Sequence, residues 1–147
     1  MTSNELNNLV RSGALKTEPG DQKEFDGLVA SGRARLADAE KAGLALESQF
    51  DLAYNAAHAL SLAAMRWHGY RPDKRYIVFP SLAHTLGVGP EVWRVLDKAH
   101  GLRNSMEYEG ALDLSKQIVV DLLKAAVIVR ARVEGLGPVP ANKPGRK

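Results

Sequence analysis

The stretch Phe50 to Gly69, FDLAYNAAHALSLAAMRWHG, decides the fold. Phe50, Tyr54, Ala57, Ser61, Ala64 and His68 recur at alternating steps of four and three, the spacing of a helical seam. Leu52, Leu60, Leu62 and Met65 fall on the remaining sides. A helix that is apolar around most of its circumference belongs at the centre of a bundle. Its alanines let neighbouring helices approach closely. Ser48 and Asp51 have capping-box spacing and predict its start. Gly69 stands where a helix of this length would end.

Further helices are expected on both sides. Thr2 and Glu5 form another capping-box pattern, followed by Leu6, Leu9 and Val10 at helical spacing and by Gly13 as a stop. KTEPG, residues 16–20, reads as a turn, and Pro19 and Asp21 open the next helix. That helix carries Phe25, Leu28, Val29, Gly32, Leu36 and Ala39 on one face. Gly32 costs about 1 kcal/mol in propensity, so its place there predicts a close helix contact.

Downstream, YIVFPSLAHTLG is read as helix, with Pro80 starting or kinking it. Pro90 suits the first turn of a helix whose stripe is Val92, Val95, Leu96, Ala99, Leu102 and Met106. The last helix is expected from about Leu112 or Asp113 to Val133, with Leu114, Ile118, Val119, Leu122, Leu123, Ala126 and Val127 inward. No strand pair and no internal repeat is read. Short connections make consecutive helices antiparallel. The fold class is therefore all-α, an antiparallel four- to five-helix up-and-down bundle with a short N-terminal helix. Residues 1–20 form the N-terminal helix and turn, 21–134 the bundle, and 135–147 a disordered basic tail.

The 147 residues suit one domain with a core of its own. The absence of cysteine excludes a disulfide framework and a thiolate metal site. MTSNELNNLV has no basic start followed by an apolar run, and Leu52 to Met65 is too short to span a bilayer. A cytoplasmic protein with no membrane association is expected. The basic pI misleads, because Lys143, Arg146 and Lys147 account for the whole net charge of +3. Charge is nevertheless uneven. Residues 1–65 carry a balance of −3 and residues 66–103 one of +4. A basic segment on a neutral body points to phosphate-bearing partners, or else to an ordinary solvated face.

Four histidines occur, at 58, 68, 84 and 100, in no metal-ligand spacing, and no metal or cofactor is expected. Gly87-Val88-Gly89 has too few glycines for a phosphate loop, and no nucleophile elbow is present. The chemistry concentrates in RNSMEYEG, residues 103–110. Arg103, Asn104, Glu107 and Tyr108 form a dense polar group, with Arg94 and Lys98 upstream on the same flank. Arg71, in the GYRPDKRY turn, adds a further basic candidate. An arginine offers paired donors that fit a phosphate, and a tyrosine can stack on a base. A local Arg103–Glu107 pair with Tyr108 packed at the core edge is the structural alternative.

The long third helix with its Gly-Tyr-Arg turn, and R-N-x-x-x-Y ahead of a last long helix, resemble the HEPN superfamily over roughly residues 30–130. That resemblance implies a helical bundle that is usually a homodimer. In its active members Arg–His motifs meet at the dimer interface and cleave RNA without metal. Others are toxin–antitoxin components partnered by a small nucleotidyltransferase, and still others are non-catalytic binding modules. Here Tyr108, Glu109 and Gly110 stand where the histidine is wanted, and no histidine follows His100. Tyrosine, with its pKa near 10, is a poor general base at neutral pH. The resemblance therefore implies a non-catalytic module binding RNA, a nucleotide or a protein through Arg103, Asn104 and Tyr108. The alternatives are an atypical ribonuclease using Arg103, Tyr108 and His100, or a structural homodimeric adaptor.

Overall fold

The computed structural model describes residues 4–109 and 114–141. Six α-helices make up most of it: α1 (Asn4–Arg11), α2 (Gln22–Ala39), α3 (Leu46–Trp67), α4 (Leu82–Thr85), α5 (Pro90–Glu109) and α6 (Lys116–Glu134). Two three-residue strands, β1 (Leu15–Thr17) and β2 (Tyr70–Pro72), and a 3-10 turn at Arg75–Ile77 complete the described elements.

The central helix lies where its composition put it. Phe50, Ala53, Tyr54, Ala56, Ala57, Leu60, Ala63 and Ala64 of α3 are all buried in one core. α2 and α6 make its largest contacts, and α4, α5 and β2 also touch it. Leu36 from α2, Leu96 from α5, and Leu122, Ala126 and Val129 from α6 close around it. Each large aliphatic side chain buried there contributes about 1.5–3 kcal/mol. Gly32 fits its expected role, since a Cβ on it would stand 2.5 Å from Leu60 Cγ. Gly69 has φ +88, the left-handed conformation that ends a helix without strain.

Helix starts follow side-chain caps in two cases. Asp21 accepts the Glu24 N–H at the head of α2, and Ser115 accepts the Ile118 N–H at the head of α6. α3 departs from expectation. It begins at Leu46 behind an extended Ala45 with no side-chain cap, so Ser48 lies inside the first turn rather than ahead of it. Thr2 and the expected start of the last helix at Leu112 or Asp113 lie outside the described residues.

Three expectations are corrected. β1 and β2 pair antiparallel, Leu15 opposite Pro72 and Thr17 opposite Tyr70, where no strand pair was read. Three residues are too few for periodicity to reveal. The pair persists because Leu15 and Tyr70 are buried with Leu6, Met65 and Ile77 in a small second core. That cluster ties residues 4–17 to the bundle rather than leaving them as an appendage. The stretch read as helix around Pro80 is instead the 3-10 turn, an irregular bend and the single turn of α4. Proline has no N–H for a helical ladder, and Ile77, Val78, Phe79 and Leu82 bury their side chains without one. The tail is docked as far as it is described. The Trp67 indole donates to Gly137 O and Pro138 O, both at 3.1 Å, and the Val139 amide donates to Gln22 Oε1 at 2.7 Å. Leu136 and Val139 pack on the core.

A charged network locks the C-terminal end of α3. The Arg66 side chain is only 2% exposed. Its Nε donates to Glu24 Oε1 at 2.9 Å, Nη1 to Glu18 O at 2.9 Å and Tyr70 O at 3.1 Å, and Nη2 to Pro19 O at 2.7 Å. Arg71 donates Nε to Glu18 Oε2 and Nη2 to Glu24 Oε2, each at 2.8 Å. These bonds join the turn before α2, α2 itself, α3 and β2. Hydrogen bonding to Arg71 holds the Glu18 carboxyl below its ordinary pKa, against the cost of its desolvation. Burial opposes ionisation of Glu24, and the bonds from Arg71 and Arg66 overcome it.

Removing the guanidinium takes the donor from three backbone carbonyls, those of Glu18, Pro19 and Tyr70, and one of the two arginine donors from the Glu24 carboxylate. Arg66→Ala should therefore cost about 3 kcal/mol or more. A urea midpoint for this variant that matches the parent chain would contradict that role.

Candidate functional site

The N-terminal half of α3 and the second half of α5 bring a second polar group together. Asp51, Tyr54 and His58 fall at steps of three and four on α3, and Arg103 and Asn104 lie three and four residues after His100 on α5. Where the two helices face one another, the residues mesh around one buried aromatic ring.

Tyr54 is that ring, at 2% exposure. Its hydroxyl lies 3.1 Å from His100 Nδ1. The His100 ring lies near-parallel to it, at 6.4 Å between centroids. The Arg103 guanidinium carbon stands over the tyrosine face at 5.1 Å. Arg103 Nη1 donates to Asp51 Oδ1 at 2.9 Å, back across to α3. The Arg103 side chain is 26% exposed and Asp51 56%, so the pair sits at the rim of the site rather than sealed below it. Asn104, exposed on α5, puts Nδ2 3.4 Å from His100 Nε2. Behind these groups the edge of Phe79 meets the Tyr54 and His58 rings, each at 5.9 Å.

His58 is the unsettled member. Its Nε2 is buried and has no hydrogen-bond partner among the described residues. Burial pushes its pKa down to about 4, helped by the charges of Arg75, His100 and Arg103. At neutral pH this imidazole is uncharged in a positive neighbourhood. The other half-buried histidine on this helix differs. His68 Nε2 meets Thr85 O at 2.8 Å and so anchors α4; burial lowers its pKa while that bond opposes the shift.

The expected site residues do not all meet. Arg103, Asn104 and His100 come together. Arg94 and Lys98 are exposed one to two turns earlier on α5, Arg94 lying over the Trp93 ring at 5.4 Å. Lys98 borders a cleft of about 120 Å³ between α5 and α6, lined by Val95, Leu102, Ile118 and Asp121. Arg71 does not join them. It sits beyond the far end of α3, committed to Glu18 and Glu24. Tyr108 is on the last turn of α5, and its side chain and that of Glu107 lie outside the described residues. Arg103 reaches across to Asp51 on α3.

The sequence reading missed Tyr54 and Asp51 as partners of Arg103, and His58 as the neighbour of Tyr54. Tyr54 and His58 were legible only as members of an apolar seam or as non-ligands. The available signal was a polar i, i+3, i+7 set on an otherwise apolar helix, matched by i, i+3, i+4 on a second. Among the described residues no group of three His, Asp or Glu side chains could hold a metal ion. No described helix is long and apolar enough to cross a membrane.

Compared with known proteins, the chain matches no protein-family model, no curated protein and no solved structure.

The His58 environment fixes a pH dependence. In the unfolded chain the imidazole titrates near 6.5, and in the folded protein near 4. Between those values the unfolded state binds the extra proton, so stability falls as pH drops from 6.5 to 4, by up to about 3 kcal/mol. His58→Phe should flatten that slope without abolishing it, because His68 titrates in the same direction. Urea unfolding at pH 7 and pH 4.5 checks this; equal slopes in the two proteins would contradict it.

Proposed function

We propose that the chain is a HEPN-like helical module that binds single-stranded RNA through the α5 face around Arg103 without cleaving it. One observation carries this reading: the Arg103 guanidinium is held over the Tyr54 ring at the rim of the site, beside exposed Asn104. A fork oriented in this way is suited to a phosphate. Its partner Asp51 is more than half exposed, and exposed ion pairs contribute only about 0–1 kcal/mol. An incoming phosphate can compete with that carboxylate from the solvent side. Arg94 and Lys98 extend positive charge along the same helix.

The non-catalytic part of the reading rests on the lack of any histidine after Arg103. Asn104 and the Tyr54 hydroxyl each stand beside one ring nitrogen of His100, so both nitrogens already have a neighbour within the protein. A second reading, a metal-independent ribonuclease built on His100 and Arg103, draws on the same convergence of both side chains on one tyrosine ring. The family resemblance adds to the proposal a cytoplasmic homodimer, an antiparallel up-and-down helix order, and a small nucleotidyltransferase as the protein partner of a toxin–antitoxin pair.

Fluorescence anisotropy with a labelled single-stranded oligoribonucleotide tests the proposal. The parent chain should bind, and Arg103→Ala should bind about 10- to 100-fold more weakly, the range for one charge-assisted contact. Equal affinity of parent and variant would contradict it. The same RNA recovered on a denaturing gel should be full length, and shortened RNA would favour the ribonuclease reading.

A further inference from the structure

The basic surplus of residues 66–103 does not lie where its sequence places it. Arg66 and Arg71 are neutralised by Glu18 and Glu24. Besides Arg94 and Lys98 on α5, the same segment sends Lys74, Arg75 and Tyr76 to solvent, all three exposed. None of the three side chains has a hydrogen bond or ion pair among the described residues. Asp73 is the acid beside them, so two cations stand against one carboxylate. Tyr76 is 52% exposed, the one aromatic among the large apolar side chains that the described residues leave in solvent. Its neighbours Ile77, Val78 and Phe79 are buried. The 3-10 turn at Arg75–Ile77 thus anchors itself on three side chains and turns the tyrosine outward.

This turn adjoins the Arg103 site. Phe79, four residues beyond Arg75, packs edge-on against both Tyr54 and His58. Tyr54, whose ring meets Phe79, is the same ring that carries the Arg103 guanidinium, so the segment that follows the turn touches the Arg103 site directly. An exposed aromatic ring beside two unpaired cations, next to a second arginine site, has the composition of a single-strand binding surface. Stacking on the ring accepts any base, and the cations follow the phosphates.

We propose that Lys74, Arg75 and Tyr76 form a second contact for single-stranded RNA, with a base stacked on Tyr76 and the backbone running past Arg75 toward Arg103. The inference rests on the RNA-binding reading of the Arg103 face and extends it to a different element. It also gives that reading a direction, from the turn before α4 to the second half of α5.

The test is an anisotropy titration of a labelled 12-nucleotide single-stranded RNA at several salt concentrations, with circular dichroism confirming that each variant is folded. Tyr76→Ala should weaken binding about tenfold, and Tyr76→Phe, which keeps the ring, should restore it. Arg75→Ala should reduce the slope of log affinity against log salt by about 0.7, the value for one lost phosphate contact on a single strand. Loss of binding in Arg103→Ala with none in Tyr76→Ala or Arg75→Ala would overturn this inference and leave the Arg103 site standing. Tyr76→Phe as weak as Tyr76→Ala would overturn the stacking contact. A parent chain that binds no RNA would overturn both readings.

Discussion

Enclosure of α3 on every side is the constraint from which the other features follow. A 22-residue helix with alanine at many inward positions lets α2 and α6 approach closely, and at Gly32 even a Cβ would collide with Leu60. A helix buried in this way cannot shed a polar residue into water. Every polar side chain it carries inward must be satisfied by a neighbouring element or must stay uncharged. Arg66 illustrates the first outcome and His58 the second.

The two ends of α3 are accordingly polar in opposite ways. At the C-terminal end, a buried arginine takes backbone carbonyls and two carboxylates, and the surrounding loops become part of the fold. At the N-terminal end, Tyr54 and Asp51 hold groups from α5 at the rim, where Arg103 stays partly in solvent and its counter-ion is largely exposed. The first arrangement is closed and structural. The second reaches solvent. Charge counted along the chain does not separate them, because the opposing acids Glu18 and Glu24 lie far from Arg66 and Arg71 in sequence.

The central helix was legible because twenty consecutive residues share one periodic pattern, and no other arrangement buries it. The stripes on α2, α5 and α6 were legible for the same reason. The β1–β2 pair, the turn at Arg75–Ile77 and the docking of Leu136 and Val139 were not. Each involves three or four residues whose placement depends on a tertiary partner, and short segments carry too little pattern to announce one. Of the site, Arg103 and Asn104 stood out with Glu107 and Tyr108 as a polar cluster after an apolar stripe, and His100 only as a substitute for the histidine that the resemblance implies. Tyr54 did not, because an aromatic at a seam position looks the same whether its hydroxyl is bonded to a histidine or merely packed. Arg71 stood out and is committed elsewhere, while Arg75 and Tyr76, four and five residues further on, are the side chains left in solvent.

The most direct test of the central claim is a map of amide chemical-shift changes as single-stranded RNA is titrated into the isotopically labelled chain. The changes should concentrate on the second half of α5 and the N-terminal half of α3, around Arg103 and Tyr54, and leave the Arg66 network still. Changes confined to the Arg66 end of α3, or no changes at all at saturating RNA, would contradict the account.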